Sequence, residues 1–142
     1  MSFHISIPGQ PVGKGRPRVV RNQGKVRAYT PKKTEDWTAY AVTLLLNNRQ
    51  PEWPHTVPVS VAILAIGKRP KRLMRKKDPE HCIWRPTKPD ADNVAKAVLD
   101  ALVKAGVIRD DVQVCLLSVR SLYAEKDGSP SVEVSVRVLE AM

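Results

Sequence analysis

The sequence is short of the residues that stabilise secreted and membrane proteins. It has two cysteines in 142 residues, Cys82 and Cys115, and neither belongs to a Cys-x-x-Cys pair, which argues against a disulfide framework or a structural zinc site. The longest apolar run, residues 61–66, is far below the ~20 residues that cross a bilayer. The N-terminus, MSFHISIPGQ, has no basic segment followed by an apolar one. We therefore expect a soluble, cytoplasmic protein with no signal peptide and no membrane contact.

Acidic residues are also scarce, and their distribution is uneven. The chain has 24 lysines and arginines against 14 aspartates and glutamates, for a net charge of +10. A globular domain this basic usually contacts a polyanion. Eight of the basic residues lie in 14–33 and nine in 68–88, whereas five of the acids lie in the short window 90–111. A cluster of acids in a basic chain suggests that a cation is held there.

Hydrophobic periodicity predicts an α+β fold in one domain spanning residues 1–142. Alternating apolar positions predict strands at about 2–7, 57–66, 112–123 and 132–139, and helical spacing predicts helices at about 34–48 and 90–105. Thr34 is the expected N-cap of the first helix, and Gly106 is expected to end the second. A basic hairpin is expected at about 14–29 and a long basic loop or flap at about 67–89. The predicted architecture is a mixed β-sheet with two principal helices packed on it.

The acidic window contains a candidate catalytic site. Asp90 and Asp92 lie at the start of the second helix, and Lys96 follows Asp92 by one turn on the same face. The chain turns back after Gly106, which either brings Asp111 to the start of that helix or leaves it at the far end. Three converging carboxylates would favour Mg²⁺ or Mn²⁺ over zinc, and Lys96 would stabilise charge on a phosphoryl group. The simpler alternative is that these aspartates cap the helix or form turns, and that Asp92 and Lys96 make a surface pair.

The same window resembles a known family. The stretch TKPDADNVAKAVLDAL, followed by KAGVIRDDVQV, is similar without a gap to the signature of the RusA family of Holliday junction resolvases. The segments GKGRPR and YTPKKT also look like those of family members. The resemblance implies a RusA-like fold and a homodimeric, Mg²⁺-dependent endodeoxyribonuclease. Such an enzyme resolves four-way DNA junctions by paired symmetric nicks in recombination and repair.

Residue by residue, the resemblance places the essential acids on Asp90, Asp92 and Asp111, which would be the metal ligands, and the essential lysine on Lys96. Asp100 and Asp110 match further acids of the pattern and are treated as secondary. The arginine run that directly precedes the first aspartate in the best-known member of the family is replaced here by Arg85-Pro86-Thr87-Lys88-Pro89. Engagement of DNA next to the site is therefore expected to differ.

The basic segments are expected to contact DNA phosphates and carry no signature of base reading, which fits recognition of branch shape. The candidate residues are Lys14, Arg16, Arg18, Arg21, Lys25 and Arg27 in the hairpin, and Arg69, Lys71, Arg72 and Lys88 in the loop. Trp84 and Tyr29 are candidates for stacking on bases, whereas Trp37, Tyr40 and Tyr123 are expected in the core.

Two other functions fit the same features. The first alternative is a non-catalytic protein that binds branched DNA, in which the aspartates only cap a helix. The second is a general metal-dependent nuclease for flaps or duplex DNA. Substitution of Asp92 separates the first alternative from a resolvase, because only a resolvase would lose junction cleavage. Comparing the cleavage of four-way, flap and linear DNA separates the second alternative from a resolvase.

Overall fold

A computed structural model describes residues 1–15, 18–29, 31–48 and 51–141. The strands are β1 (Ser2–Pro8), β2 (Arg18–Asn22), β3 (Lys25–Tyr29), β4 (Val59–Gly67), β5 (Ile83–Trp84), β6 (Val114–Tyr123) and β7 (Ser131–Val138). The helices are α1 (Lys32–Asn47) and α2 (Ala91–Lys104). Short 3-10 turns lie at Lys71–Leu73 and Asp111–Gln113. No helix in these described ranges is long and apolar enough to span a bilayer.

The main sheet has five strands in the order β1-β7-β4-β6-β5. β4 and β6 are parallel, and the other neighbouring strands are antiparallel, so the sheet is mixed and the predicted α+β fold is confirmed. Alternating residues of β4, among them Val61 and Ile63, form the core together with Val134 of β7 and Val98 of α2. This alternation explains why β4 and β7 could be predicted, because one face of each strand is buried and the other is more exposed.

The parallel pairing of β4 and β6 determines where α2 lies. Parallel neighbours require a crossover connection, and here that connection spans residues 68–113 and includes α2. A crossover helix runs back against the direction of the two strands it joins. The start of α2 therefore lies near the end of β6, and the residues that precede β6 lie near the end of α2.

Two expectations about α1 were wrong. The helix begins at Lys32 with Pro31 as its N-cap residue, not with Thr34. Thr34 is buried in the first turn, where its hydroxyl donates to the carbonyl oxygen of Gly13 at 3.2 Å and accepts from the amide of Gly15 at 3.3 Å. Tyr40, expected in the core, is exposed, because the buried face of α1 runs through Trp37, Ala41 and Leu45.

The two basic segments have defined structures. β2 and β3 pair as a separate antiparallel hairpin that turns at Gln23 and Gly24, both of which have positive φ. The segment 68–88 contains the 3-10 turn and β5. Between these two elements, Arg75 pairs with Asp78 at 3.2 Å. Lys126 anchors the same segment from outside by donating to the carbonyl oxygen of Arg75 at 2.8 Å.

Candidate active site

The first two aspartates of the candidate site lie at the start of α2. Asp90 is the N-cap residue by backbone conformation, and its carbonyl oxygen accepts from the amide of Val94 at 3.0 Å. Its carboxylate makes no capping hydrogen bond within the described residues, and Asp92 is exposed in the first turn. Both carboxylates are therefore available to a ligand, and the partial positive charge at the start of the helix favours negative charge there.

The other two aspartates lie in the turn that leads into β6. Asp110 accepts from the amide of Val112 at 3.0 Å, and Gln113 accepts from the amide of Asp110 at 3.2 Å, which together form a capping box. Gln113 also accepts from the amide of Arg109 at 2.6 Å. The sequence Asp-Asp-Val-Gln carries the signal for this motif, which the analysis of the sequence missed.

Asp110 and Asp111 are neighbours in this turn, and their pKa values move apart. Hydrogen bonding with the side chain of Asp110, followed by desolvation and the charge of Asp110, raises the pKa of Asp111. The amide of Val112, followed by the side chain of Asp111, lowers the pKa of Asp110. Neighbouring carboxylates repel each other unless a proton or a cation lies between them.

Lys96 and Asp111 line one cleft of about 320 Å³, named here the α2 cleft. It is lined by Lys14, Lys96, Leu99, Asp100, Val103, Arg109, Asp110 and Asp111. Asp100 is neutralised by Lys104 at 3.2 Å and lies 3.9 Å from Lys14. Lys96 has no ion-pair partner among the residues that the structure describes. The structure thus brings the predicted essential lysine to one of the three predicted essential acids.

Asp90 and Asp92 are not gathered with Asp111. In the described part of the chain, no group of three or more His, Cys, Asp or Glu side chains lies close enough to hold a metal ion. The crossover topology is the reason, because Asp111 lines the α2 cleft together with Leu99, Asp100 and Val103, which lie well along α2. Asp90 precedes Asp100 by about 15 Å along the helix axis at 1.5 Å per residue. One protomer in this conformation therefore does not fit a metal ion shared by all three carboxylates.

Asp90 lines two other clefts. One, of about 470 Å³, lies beside the N-terminal basic segment and includes Lys14, Lys88 and Asn93. The other, of about 740 Å³, is named here the Trp84 cleft and is lined by Trp84, Arg85, Pro86, Thr87, Lys88, Pro89, Asp90, Ala91, Val119, Arg120 and Ser121. Among the described residues, Asp90 is the one acid that borders either cleft, and Lys88 borders both.

The expected DNA-contacting residues fall into distinct environments. Lys14 is fixed beside α2, because its amide donates to the carbonyl oxygen of Asn93 at 3.0 Å. Residues that are exposed on the hairpin or on the 68–88 segment are Arg21, Lys25, Lys71, Arg72 and Lys88. Arg18 and Arg27 lie on β2 and β3, and Arg16 lies outside the described residues. Arg69 differs from the others because it is buried and its guanidinium has no hydrogen-bond partner in the described ranges.

Arg85 supports the segment that leads into α2, a role that the sequence did not reveal. Its side chain is 5% exposed, and Nη1 donates to the carbonyl oxygens of Thr87 at 2.8 Å and Lys88 at 2.9 Å. Burial lowers the pKa of Arg85. Thr87 is held a second time by the hydroxyl of Tyr123 at 3.2 Å. These contacts fix the backbone two residues before Asp90 and build one wall of the Trp84 cleft.

Comparisons with known proteins identify the family to which the chain is similar. A family model described as endodeoxyribonuclease RusA matches residues 8–137. An uncharacterized protein of Bacillus subtilis (strain 168), YqaN, is 37% identical over an alignment 142 positions long, which covers 96% of each chain. The family match includes both basic segments and the whole acidic window.

Proposed function

This chain belongs to the RusA family of endodeoxyribonucleases, and we propose that it resolves four-way DNA junctions by a Mg²⁺-dependent pair of symmetric nicks. The observation that carries the proposal is the α2 cleft, in which Lys96 and Asp111 of the family motif lie together although they are distant in sequence. A cleft lined by Lys96 and by the neighbouring carboxylates of Asp110 and Asp111 is suited to a phosphodiester, whose reacting group gains negative charge in the transition state.

The proposed cofactor is Mg²⁺, with Mn²⁺ as a substitute, held by Asp90, Asp92 and Asp111. The support is the chemistry of the donors: carboxylate oxygens are the hard ligands that these ions prefer, and sulfur and imidazole ligands are absent from the described part of the site. When bound, such an ion activates a water and neutralises charge on the phosphate. Since one protomer does not gather the three carboxylates, a complete site requires a rearrangement or a contribution from outside the protomer.

The remaining site residues would position and stabilise the substrate. Lys96 would offset negative charge on the phosphoryl oxygens, and its exposure lets it reach a bound strand. Arg85 would hold the 87–89 segment and so fix the approach of Asp90. Gln113 would hold the turn that carries Asp111. Arg85 and Gln113 are positioning residues, because neither is exposed to substrate.

The exposed basic residues would bind the DNA backbone. Lys14 borders both the α2 cleft and the cleft that contains Asp90, and Lys88 borders both clefts that contain Asp90. A phosphate backbone that passes over the start of α2 would therefore meet cations on both sides of the carboxylates. Arg21, Lys25, Lys71 and Arg72 would extend this contact along the arms of a junction.

The test compares a four-way junction, a flap and a linear duplex, each cut by the wild-type protein with Mg²⁺ at the same salt concentration. The proposal expects paired nicks in the junction and little cutting of the linear duplex. Equal cutting of all three substrates would favour a general nuclease. Tight binding of the junction without cutting in either Mg²⁺ or Mn²⁺ would favour a non-catalytic binding protein.

A further inference from the structure

The segment Gly13-Lys14-Gly15, named here the 13–15 strap, is fixed against the start of α2 and the first turn of α1. The amide of Lys14 donates to the carbonyl oxygen of Asn93 at 3.0 Å. The two glycines are held by Thr34, whose hydroxyl donates to the carbonyl oxygen of Gly13 at 3.2 Å and accepts from the amide of Gly15 at 3.3 Å. The main chain of Lys14 is therefore tied to α2 directly and to α1 through both of its neighbours.

The close approach of the 13–15 strap to the two helices requires glycine on each side of Lys14. A Cβ atom on Gly13 would lie 3.0 Å from the Cβ atoms of both Asn93 and Pro89. A Cβ atom on Gly15 would lie 2.9 Å from the ring of the proline that caps α1. A larger residue at either position would push the strap outward, because glycine is the residue that lets a backbone pack this closely. The pattern Gly-Lys-Gly thus fits a lysine that is held against α2.

The side chain of Lys14 extends along the face of α2 that carries Lys96. Nζ of Lys14 lies 3.9 Å from Oδ1 of Asp100, about two helical turns beyond Asn93. Lys96 lies between Asn93 and Asp100 on the same helix face, at i+3 from the first and i−4 from the second. Both lysines line the α2 cleft together with Asp111. The cleft therefore carries two lysines, although the helix itself supplies only one of them.

Asp100 holds the ammonium group of Lys14 only loosely. The shorter ion pair of Asp100 is with Lys104, at 3.2 Å, and the side chain of Lys14 is 42% exposed. An exposed ion pair of this kind contributes little to stability. A phosphate oxygen that enters the α2 cleft can therefore take Lys14 from Asp100 at small cost.

Lys14 is also the one residue that lines both the α2 cleft and the cleft of about 470 Å³ that Asp90 borders. Lys88 lies in the second of these clefts, and Lys96 and Asp111 lie in the first. A DNA strand that runs from one cleft to the other passes Lys14 between the two sets of acids.

We propose that Lys14 is a second phosphate-binding lysine of the active site, which contacts the same reacting phosphodiester as Lys96, and that Thr34 is a positioning residue that acts through the 13–15 strap. The proposal rests on the proposed nuclease function. Two cations on one phosphoryl group offset the negative charge that its oxygens gain in the transition state. The strap matters because a lysine on a fixed main chain loses less conformational freedom on binding than a lysine on a free arm.

The first test measures nicking of a four-way junction in a single turnover, with enough protein to saturate the junction. Lys14→Ala should nick about 100-fold more slowly than wild type even at saturation, because a contact to the transition state is lost. Lys104→Ala is the matched control, since Lys104 also pairs with Asp100 but does not line the α2 cleft, and it should nick at nearly the wild-type rate. Nicking by Lys14→Ala at the full rate once the junction is saturated would show that Lys14 serves binding alone and would overturn the proposal.

The second test asks whether Thr34 acts through Lys14. Thr34→Val should nick about 10-fold more slowly, because the strap and its lysine are displaced, whereas Thr34→Ser keeps the hydroxyl and should nick at close to the wild-type rate. Thr38→Val is the matched control, because it also removes a buried hydroxyl from α1, one that donates to the carbonyl oxygen of Thr34 at 2.8 Å. In a Lys14→Ala background, Thr34→Val should cause no further loss. The same loss with and without Lys14 would mean that Thr34 acts through stability alone, which would overturn its positioning role.

A third readout does not depend on catalysis. In gel-shift binding of the junction with Ca²⁺, Lys14→Ala should reduce the slope of log affinity against log salt by about 0.9, the loss of one phosphate contact. An unchanged slope would overturn the proposal. A wild type that nicks junctions beside a Lys14→Ala protein that nicks equally well leaves the nuclease function standing and removes the role of Lys14. A wild type that never nicks, together with the reduced slope, leaves the phosphate contact standing and removes the nuclease function.

Discussion

The side chain of Gln113 fixes the main chain of Asp110 to a distant part of the fold. Oε1 of Gln113 accepts from the amide of Asp110 at 3.2 Å, while Nε2 donates to the carbonyl oxygens of Pro54 at 2.8 Å and Val57 at 2.9 Å. The turn that carries Asp111 is therefore anchored to the segment before β4 and not only to α2. A side chain that is 5% exposed controls the position of an exposed pair of acids.

Loss of this anchor should reduce both stability and catalysis. Gln113→Ala leaves buried main-chain groups without partners, and we expect the free energy of unfolding to fall by about 2–4 kcal/mol. Urea unfolding measures the change. Gln10→Ala is the matched control, because the exposed Gln10 makes a hydrogen bond to the amide of Lys68 at 2.9 Å and should cost less than about 1 kcal/mol. Equal losses for the two variants would contradict the anchoring role.

Substitution of Lys96 should slow DNA cleavage without lowering the affinity for the metal ion. Lys96→Ala is expected to reduce junction nicking about 100- to 1000-fold, because it removes charge stabilisation from the transition state. Mn²⁺ affinity, measured by calorimetry, should be unchanged or higher, since a cation is removed from the vicinity of a cation. Lys104→Ala, two turns further along α2, should nick at nearly the wild-type rate. Loss of Mn²⁺ binding in Lys96→Ala would assign Lys96 a structural role instead.

Charge removal at the exposed basic residues should alter the salt dependence of junction binding. Lys71→Gln should reduce the slope of log affinity against log salt by about 0.9 if Lys71 contacts one phosphate. Arg137→Gln, an equal change of charge on β7, should leave the slope unchanged. Binding by gel shift at several salt concentrations gives both slopes. The same slope in both variants would remove Lys71 from the DNA-contacting surface.

The free edge of β6 should control the oligomeric state. In the described residues β5 pairs only with Leu122 and Tyr123 on the side of β6 away from β4, so Leu116 lies on an uncovered edge. If the expected homodimer pairs through this edge, Leu116→Lys would place a charge there and should convert a dimer to a monomer in sedimentation velocity. Leu46→Lys changes a comparably exposed leucine on α1, 61% exposed, and should leave the dimer intact. A dimeric Leu116→Lys protein would show that the copies meet elsewhere.

Sequence patterns predicted those parts of the fold that depend on local alternation. β4, β7 and α2 followed from apolar periodicity, and the start of α2 followed from the Pro89-Asp90 boundary. The cap of α1 was wrong because the hydroxyl of Thr34 bonds to Gly13, a contact across the chain. Tyr40 was placed in the core because helical spacing alone does not define which edge of an apolar face is covered.

The candidate site was predictable in its residues but not in its arrangement. Asp90, Asp92 and Lys96 lie close together in the sequence at the start of α2, so the sequence is enough to define their spacing. The position of Asp111 depends on the parallel pairing of β4 with β6, which no short pattern encodes. Arg85 was missed as a positioning residue for a similar reason, because its partners matter only once the 85–89 segment is folded.

The central claim is that the aspartates at the start of α2 are catalytic, and substitution of Asp92 tests it most directly. Nicking of a four-way junction in Mg²⁺ and gel-shift binding of the same junction in Ca²⁺ are measured for wild type, Asp92→Asn and the control Asp36→Asn, an exposed acid of α1. The account predicts that Asp92→Asn loses nicking entirely but binds as tightly as wild type or more tightly, while Asp36→Asn does both normally. Nicking at the wild-type rate by a folded Asp92→Asn protein would contradict it.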